Sequence, residues 1–232
     1  MILTAHQPVY LPWLGLFHKI YLADVFCYFD IVQYQKKDFN NRNQIKTQNG
    51  ATWLSVPVES KNHLKKNVGD IKIIPGNWIK KHLKSIELAY KKSEFYKNYK
   101  EEFENIYKEE EIKTLSQLNL KILKFLLRKL KVEKKIIIAS EYNFKGAKSD
   151  LVLDMCVSLK ATKYIFGSQG INYVDQNKFK NNNVEIFFQD FKHPKYKQLN
   201  GNFLPYMSVI DLLFNEGEKS LEKILQNNIK KI

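Results

Sequence analysis

The first 30 residues of the chain, MILTAHQPVYLPWLGLFHKIYLADVFCYFD (1–30), decide the fold class. Residues 1–5 and 25–29 are nearly all apolar, which is typical of strands that are buried on both faces of a sheet. Between them, apolar side chains recur at the spacing of one helix face, at Leu14, Phe17, Ile20 and Tyr21. Two buried strands with a helix between them form a β-α-β unit, so we expect the two strands to be parallel.

The rest of the chain continues this alternation. Further strands are predicted at residues 53–58, 71–74, 136–139, 164–166 and 184–188. Residues 78–131 show a helical pattern with about three helices, and Thr114 or Ser116 is expected to cap the last of them. The polar stretch at residues 33–50 has too few apolar residues for a core element. We therefore predict an α/β fold, a Rossmann-like, mostly parallel sheet flanked by helices, with a helical insertion in the middle of the chain.

Length and composition indicate one globular domain. The chain has 232 residues, 44% of them hydrophobic, and a single core can serve up to roughly 250 residues. We predict one domain over residues 1–232, with a helical subdomain at residues 78–132.

No apolar run reaches the roughly 18 residues of a membrane helix and residues 1–6 lack signal-peptide features, so we expect a cytoplasmic protein without membrane insertion. Cys27 and Cys156 lie in apolar patterns and are expected to be buried and reduced.

The net charge of +14 favours a general affinity for anions over specific recognition of nucleic acid. Of the 38 basic residues only Arg42 and Arg128 are arginine, the residue whose planar fork suits phosphates and base edges. The lysines are also interspersed with glutamates, which is typical of solvated helix faces. We expect no specific DNA binding.

Polar residues follow the predicted strands at their carboxyl ends, where parallel sheets bind ligands. They are His6 and Gln7 after the first strand, Asp30 after the second, Gly167, Ser168 and Gly170 after residues 164–166, and His193 after the last strand. His6 and His193 are the candidates for a general base, because histidine titrates near neutral pH. Each could instead be structural, and the choice between them stays open. Asp30 is the candidate catalytic carboxylate.

Other residues are candidates for binding a substrate. Backbone amides of residues 167–170 could contact a phosphate, although such a loop is also an ordinary turn. Arg42 could pair with a diphosphate through two hydrogen bonds, or it could be structural. Gln7, Asn43, Tyr196 and Gln198 could orient a substrate. Side chains that could stack on a base or sugar ring are Trp13, Trp53, Trp78, Tyr10, Tyr34, Tyr173 and Tyr196, although each could instead belong to the core or an interface. No metal site is predicted, because no spacing of ligand residues requires one.

Several segments resemble the WbqC-like protein family. They are HQPVYLPWLG (6–15), ADV (23–25), DIVQY (30–34), NRN (41–43), WLSVPV (53–58), YIFG (164–167), HP (193–194) and SVIDLLFN (208–215). The resemblance covers almost the whole chain, and the opening motif is specific. It implies a role in the biosynthesis of O-antigen, the outer part of lipopolysaccharide, or of another surface polysaccharide. Some members are described as glycine or aminoacyl transferases acting on amino sugars.

The resemblance thus implies a transferase, and specifically an acyltransferase. The acyl group, for example a glycyl group, would pass to the amine of a nucleotide-linked deoxyamino sugar. Such a transfer needs a base, donors for the oxyanion and a site for the diphosphate. The donor stays open among aminoacyl-tRNA, an acyl-carrier protein, coenzyme A (CoA) and a free acid with ATP and Mg²⁺.

Three alternatives stay open beside it. A nucleotidyl or adenylyl transferase of the HUP-like class would use His6 and nearby lysines on a triphosphate, with Asp30 or Asp175 holding magnesium. A non-catalytic partner would bind a sugar nucleotide or a carrier protein. A nucleic-acid binder is the least favoured. The sequence does not decide the oligomeric state.

Overall fold

A computed structural model describes residues 1–232 and confirms the predicted α/β fold. The strands are β1 (Ile2–His6), β2 (Val25–Tyr28), β3 (Arg42–Thr47), β4 (Gly50–Ser55), β5 (Lys135–Ile138), β6 (Lys163–Phe166) and β7 (Glu185–Phe188). The helices are α1 (Leu14–Leu22), α2 (Trp78–Tyr90), α3 (Tyr96–Ile106), α4 (Leu115–Lys129), α5 (Ser149–Ser158), α6 (Gln176–Asn181), α7 (Val209–Glu216) and α8 (Ser220–Leu225). Five strands form a parallel sheet in the order β5-β2-β1-β6-β7, while β3 and β4 form a separate antiparallel pair.

The order of the strands identifies the point where a ligand can bind. From β1 the chain moves outward to β2 and β5, then returns to the other side of β1 with β6 and continues to β7. The winding therefore reverses between β1 and β6. Because the loops that leave these two strands run to opposite faces of the sheet, a crevice forms at the carboxyl ends of the strands.

Helices cover both faces of the sheet. On one face Val25 and Cys27 pack with Met155 and Cys156 of α5, and both cysteines are free thiols. On the other face a core of 38 buried residues joins β2 to α1, α2, α3, α4 and α7. The three helices between β4 and β5 thus share one core with the sheet, while the limits of a helical subdomain at residues 78–132 stay a prediction. None of the helices combines the length and apolarity needed to cross a lipid bilayer.

Two local predictions were wrong. The stretch at residues 33–50 does contain a strand, β3, which was missed because Asn43 and Lys46 are polar although both are buried. The strand expected at residues 71–74 consists only of isolated bridges, one of them between Ile73 and Val58. Of the two predicted caps Thr114 is the N-cap, since its side chain accepts a hydrogen bond from the backbone of Gln117 at the start of α4, whereas Ser116 lies within the helix.

Buried amide side chains fix the loop between β1 and α1. Leu11 has a φ of 46°, a left-handed conformation that is unfavourable for a branched residue. The Asn43 Nδ2 donates to the carbonyl oxygen of Leu11 at 2.6 Å, and the Asn40 Nδ2 donates to that of Pro8 at 2.7 Å. Asn119 of α4 in turn donates to the carbonyl oxygen of Asn40 at 2.8 Å. Tertiary hydrogen bonds, rather than local preference, therefore set the course of this loop.

We predict that Asn43→Ala destabilises the fold by ~1–3 kcal/mol, because it leaves the buried carbonyl of Leu11 without a donor. Urea unfolding followed by far-UV circular dichroism measures the loss. Asn177→Ala, at an exposed position of α6, is the control and should change the free energy of unfolding by less than about 0.5 kcal/mol. Equal effects of the two substitutions would contradict the role given to Asn43.

Candidate functional site

A cavity of about 750 Å³ opens at the carboxyl ends of β1 and β6, where the winding of the sheet reverses. Its polar lining includes His6, Gln7, Lys19, Gly167, Ser168, Gln169, Gln189 and Asp190. Its aromatic lining includes Trp13, Phe39, Tyr173 and Tyr206. The volume falls in the range of small-molecule sites. A smaller cavity of about 540 Å³, between α2, α3 and residues 72–76, contains none of the site residues predicted from sequence.

His6 lies in this cavity as a neutral imidazole. Its Nδ1 is 2.8 Å from the carbonyl oxygen of Gln7. Since a carbonyl only accepts, Nδ1 carries the proton and Nε2 keeps a lone pair. Burial, and to a smaller extent the charge of Lys19, lowers the pKa of His6 to about 3. The imidazole therefore stays neutral at pH 7 and can accept a hydrogen bond or a proton at Nε2.

Lys19 of α1 is a buried cation that lines the same cavity. The residue is only 4% exposed, and its Nζ donates to the carbonyl oxygen of Ala5 at 3.0 Å. Burial lowers the pKa of Lys19 to about 8, and no carboxylate counteracts the shift. The amine is therefore mainly protonated at pH 7, and an uncompensated buried charge is costly unless an anion approaches it. Sequence reasoning missed this residue, and the only signal was a lysine, next to His18, within a largely apolar helix.

The loop after β6 places backbone atoms at the wall of the cavity. Gly167 and Ser168 line it, and the position of a Cβ at Gly167 is open space. A Cβ at Gly170 would lie 2.6 Å from the Cβ of Phe166, so this glycine is required by packing. The same chain segment forms a short 3-10 helix, Ser168–Asn172.

Gln189, which follows β7, is fixed in its orientation. Its Nε2 donates to the carbonyl oxygen of Gly15 at 2.7 Å and to Nδ1 of His18 at 3.0 Å. Both hydrogen atoms of the amide are used in this way. Its Oε1 has no protein partner and can accept a hydrogen bond from a ligand in the cavity.

His193 has no nitrogen free for proton transfer. Its Nδ1 donates to the carbonyl oxygen of Pro194 at 2.8 Å, and its Nε2 accepts from the backbone N–H of Tyr206 at 3.1 Å. His193 does not line the cavity, whereas Tyr206 does. Tyr206 has a φ of 62° and its side chain is 68% exposed. His193 therefore positions Tyr206, and the geometry favours His6 as the base, although both base assignments stay predictions.

Three further residues predicted for the site lie outside the cavity. Asp30 accepts hydrogen bonds from the backbone N–H of Ser140 at 2.9 Å and from its hydroxyl at 2.7 Å. The Tyr10 hydroxyl is buried between His82 Nδ1 at 2.9 Å and the Tyr107 hydroxyl at 2.8 Å. Asn43 holds the loop after β1. The contacts of all three are structural, and their roles in catalysis or binding stay predictions.

Tyr196, Gln198 and Arg42 also lie outside it. The Tyr196 hydroxyl and the Gln198 Nε2 both donate to Oδ2 of Asp211, at 2.8 and 2.7 Å, in a buried cluster beneath the loop that carries Tyr206. Arg42 stacks on the ring of Trp53 at 4.3 Å and donates to the carbonyl oxygen of Lys37. The structure thus brings together His6, Gln7, Gly167, Ser168 and Gly170 of the residues predicted from sequence.

No group of three or more His, Cys, Asp or Glu side chains is placed to hold a metal ion. The cavity instead offers one ammonium group, one neutral imidazole and several amide or hydroxyl groups. Such a set can bind an anion and exchange a proton beside it.

Comparison with known proteins gives consistent results. Residues 7–223 match the model of the WbqC-like protein family. The uncharacterized protein Rv1507c of Mycobacterium tuberculosis (strain ATCC 25618 / H37Rv) is 32% identical over 215 residues, which cover 92% of this chain and 93% of that protein. No solved structure matches the chain.

We predict that His6 contributes to acid sensitivity of the fold. Burial lowers the pKa of His6 in the folded chain to about 3, whereas an unfolded histidine titrates near 6.5. Between these values the unfolded chain binds one proton more at this residue, so stability is lost as the pH falls. Between pH 4 and 5.5, His6→Gln should therefore lower the slope of the free energy of unfolding against pH by about 1.4 kcal/mol per pH unit.

Urea unfolding of both proteins at several pH values measures this difference. The same comparison above pH 7.5 is the control, since His6 is neutral there in both states and the two curves should run parallel. Identical slopes at acid pH would contradict the burial of a neutral His6.

Proposed function

This chain belongs to the WbqC-like protein family, and from that premise we propose that it is an acyltransferase of surface-polysaccharide assembly. It transfers an acyl group, with an aminoacyl group such as glycyl favoured, to the amine of a nucleotide-linked deoxyamino sugar. One observation carries the proposal: a single cavity combines the ammonium of Lys19, which has no carboxylate partner, with the neutral imidazole of His6. The reaction is placed in the cytoplasm, in keeping with the two free thiols.

The diphosphate of the acceptor lies against Lys19 and the loop after β6. An ammonium group in a site of low dielectric attracts a phosphate strongly. The N-terminus of α1 adds to this, because no side chain caps it at Trp13 and the positive end of a helix dipole attracts anions. This role was assigned to Arg42 from the sequence, and Lys19 takes it because Lys19 lines the cavity and Arg42 does not.

His6 acts as the base. As the sugar amine attacks the acyl carbonyl, the new C–N bond forms and a proton passes from nitrogen to Nε2 of His6. The bond to the leaving group of the donor then breaks, and the proton passes from His6 to that group. The charge of Lys19 is one cause of the low pKa of His6, so an anion that neutralises this charge raises that pKa. Binding of the acceptor therefore raises the pKa of the base part of the way, while burial, the larger cause of the low pKa, remains.

We predict a selective thermal shift with a nucleotide-linked amino sugar. A ligand present at 100 times its dissociation constant stabilises the fold by ~2.7 kcal/mol. Lys19→Met should weaken its binding by about 10-fold or more, because a charge-assisted bond is lost. Lys97→Met, an exposed lysine of α3, controls for the loss of one positive charge. A shift with nucleoside triphosphates alone would indicate nucleotidyl transfer instead.

We predict that His6→Ala lowers the turnover number of acyl transfer by ~10²-fold or more, because the reaction loses its general base. Mass spectrometry of the acylated sugar nucleotide follows the reaction. His63→Ala replaces a histidine outside the cavity and should leave turnover unchanged. If His6→Ala also leaves it unchanged, His6 is not the base.

A further inference from the structure

A row of aromatic rings leads from His6 out of the cavity. The ring centroids of His6 and Trp13 are 5.2 Å apart, those of Trp13 and Phe39 are 5.8 Å apart, and those of Phe39 and Trp53 are 5.9 Å apart. Trp13 and Phe39 line the cavity, and Trp53 continues the row beyond its rim. We call Trp13, Phe39 and Trp53 the aromatic row. It extends the site away from the proposed base.

The two outer rings of the aromatic row are exposed to solvent. Phe39 is 39% exposed and Trp53 is 42% exposed. Leaving such rings in water forgoes the stabilisation of about 1.5–3 kcal/mol that burying a large apolar side chain provides. Adjacent exposed aromatics that continue a cavity are typical of a surface that binds a ligand.

Hydrogen bonds and stacking hold the aromatic row in place. The backbone N–H of Phe39 donates to Oδ1 of Asp38 at 2.7 Å, and its carbonyl oxygen accepts from the N–H of Tyr10 at 3.1 Å. The guanidinium of Arg42 lies over the Trp53 ring, with its Cζ 4.3 Å from the ring centroid. Because these contacts are present before a ligand binds, little conformational entropy is lost when a ring stacks there.

The surroundings of the row favour an anionic, ring-bearing ligand. Lys36 and Lys37 are exposed on the loop that carries Phe39, and Arg42 lies beside Trp53. Asp38, the acidic residue of that loop, is engaged by Gln7 and by the backbone of Phe39. Aromatic rings interleaved with cations are the arrangement on which nucleobases stack.

We propose that the aromatic row binds the nucleoside of the acyl donor. The inference rests on the proposed function, which places the acceptor diphosphate at Lys19. The row starts from Trp13, next to His6, and leads out past Phe39 to Trp53, so a second substrate could bring its acyl group to His6 along this path. Aminoacyl-tRNA, CoA and an acyl adenylate all carry an adenosine, whereas an acyl-carrier protein presents only a pantetheine arm. The row therefore favours a donor that carries adenosine over an acyl-carrier protein.

Binding of adenosine to the full-length protein tests this proposal. Intrinsic tryptophan fluorescence follows the titration, because Trp13 and Trp53 belong to the row. Stacking of one base contributes ~1–3 kcal/mol, so Phe39→Ala should weaken adenosine binding by about 10-fold while it keeps both reporters. Trp53→Ala, measured by calorimetry, is the second variant. Tyr142→Ala is the matched control, since Tyr142 is 41% exposed and lies outside the cavity.

Competition with uridine 5′-diphosphate distinguishes this proposal from the proposed function. We expect adenosine and the diphosphate to bind together, the first sensitive to Phe39→Ala and the second to Lys19→Met. If adenosine and the diphosphate compete, the row binds the nucleobase of the acceptor, and the assignment of the row to the donor is wrong. Adenosine binding that neither row variant weakens would also overturn the inference. Diphosphate binding that Lys19→Met does not affect would count against the proposed function alone.

Discussion

Buried amide groups hold the loop between β1 and α1, and the site depends on the shape of this loop. The bond from Asn43 to the carbonyl of Leu11 joins β3 to the loop. The backbone of Val209 donates to the carbonyl oxygen of Pro12 at 2.8 Å, so the start of α7 is tied to it as well. Through these contacts the positions of His6, at the end of β1, and of Trp13 are set together. A change in any of the elements that contact the loop would therefore reach the cavity.

The cavity combines two groups whose charges oppose each other. The ammonium of Lys19 and a protonated His6 would repel at short range, and burial makes both charges costly. The fold resolves this conflict by keeping Lys19 protonated and His6 neutral at pH 7. An anion changes the balance, because it compensates the ammonium and removes one cause of the low pKa of the imidazole. In the proposed reaction, this electrostatic link couples binding of the acceptor to proton transfer.

Two bulky residues in left-handed conformations flank the site. Leu11 precedes α1 and Tyr206 precedes α7, and neither conformation is one that the side chain favours. A side-chain hydrogen bond compensates each of them: buried Asn43 donates to the carbonyl of Leu11, and partly buried His193 accepts from the N–H of Tyr206. Strain at both loops is therefore maintained by the tertiary structure. In this conformation the exposed ring of Tyr206 lines the cavity.

The sequence by itself determined the class of the fold and the family, and it predicted the edge of the sheet at which the site lies. Apolar strands and a helix of regular period follow from local pattern, and parallel strands must end at a common edge, which is why His6, Gln7 and Gly167 meet. The tertiary structure alone decided which polar groups remain available to a ligand. Asn43, His193 and Gln198 resemble ligand-binding residues in sequence, but other groups of the folded chain already occupy their hydrogen bonds. Lys19 resembles a surface residue, but the packing of α1 on the sheet buries its charge beneath the cavity.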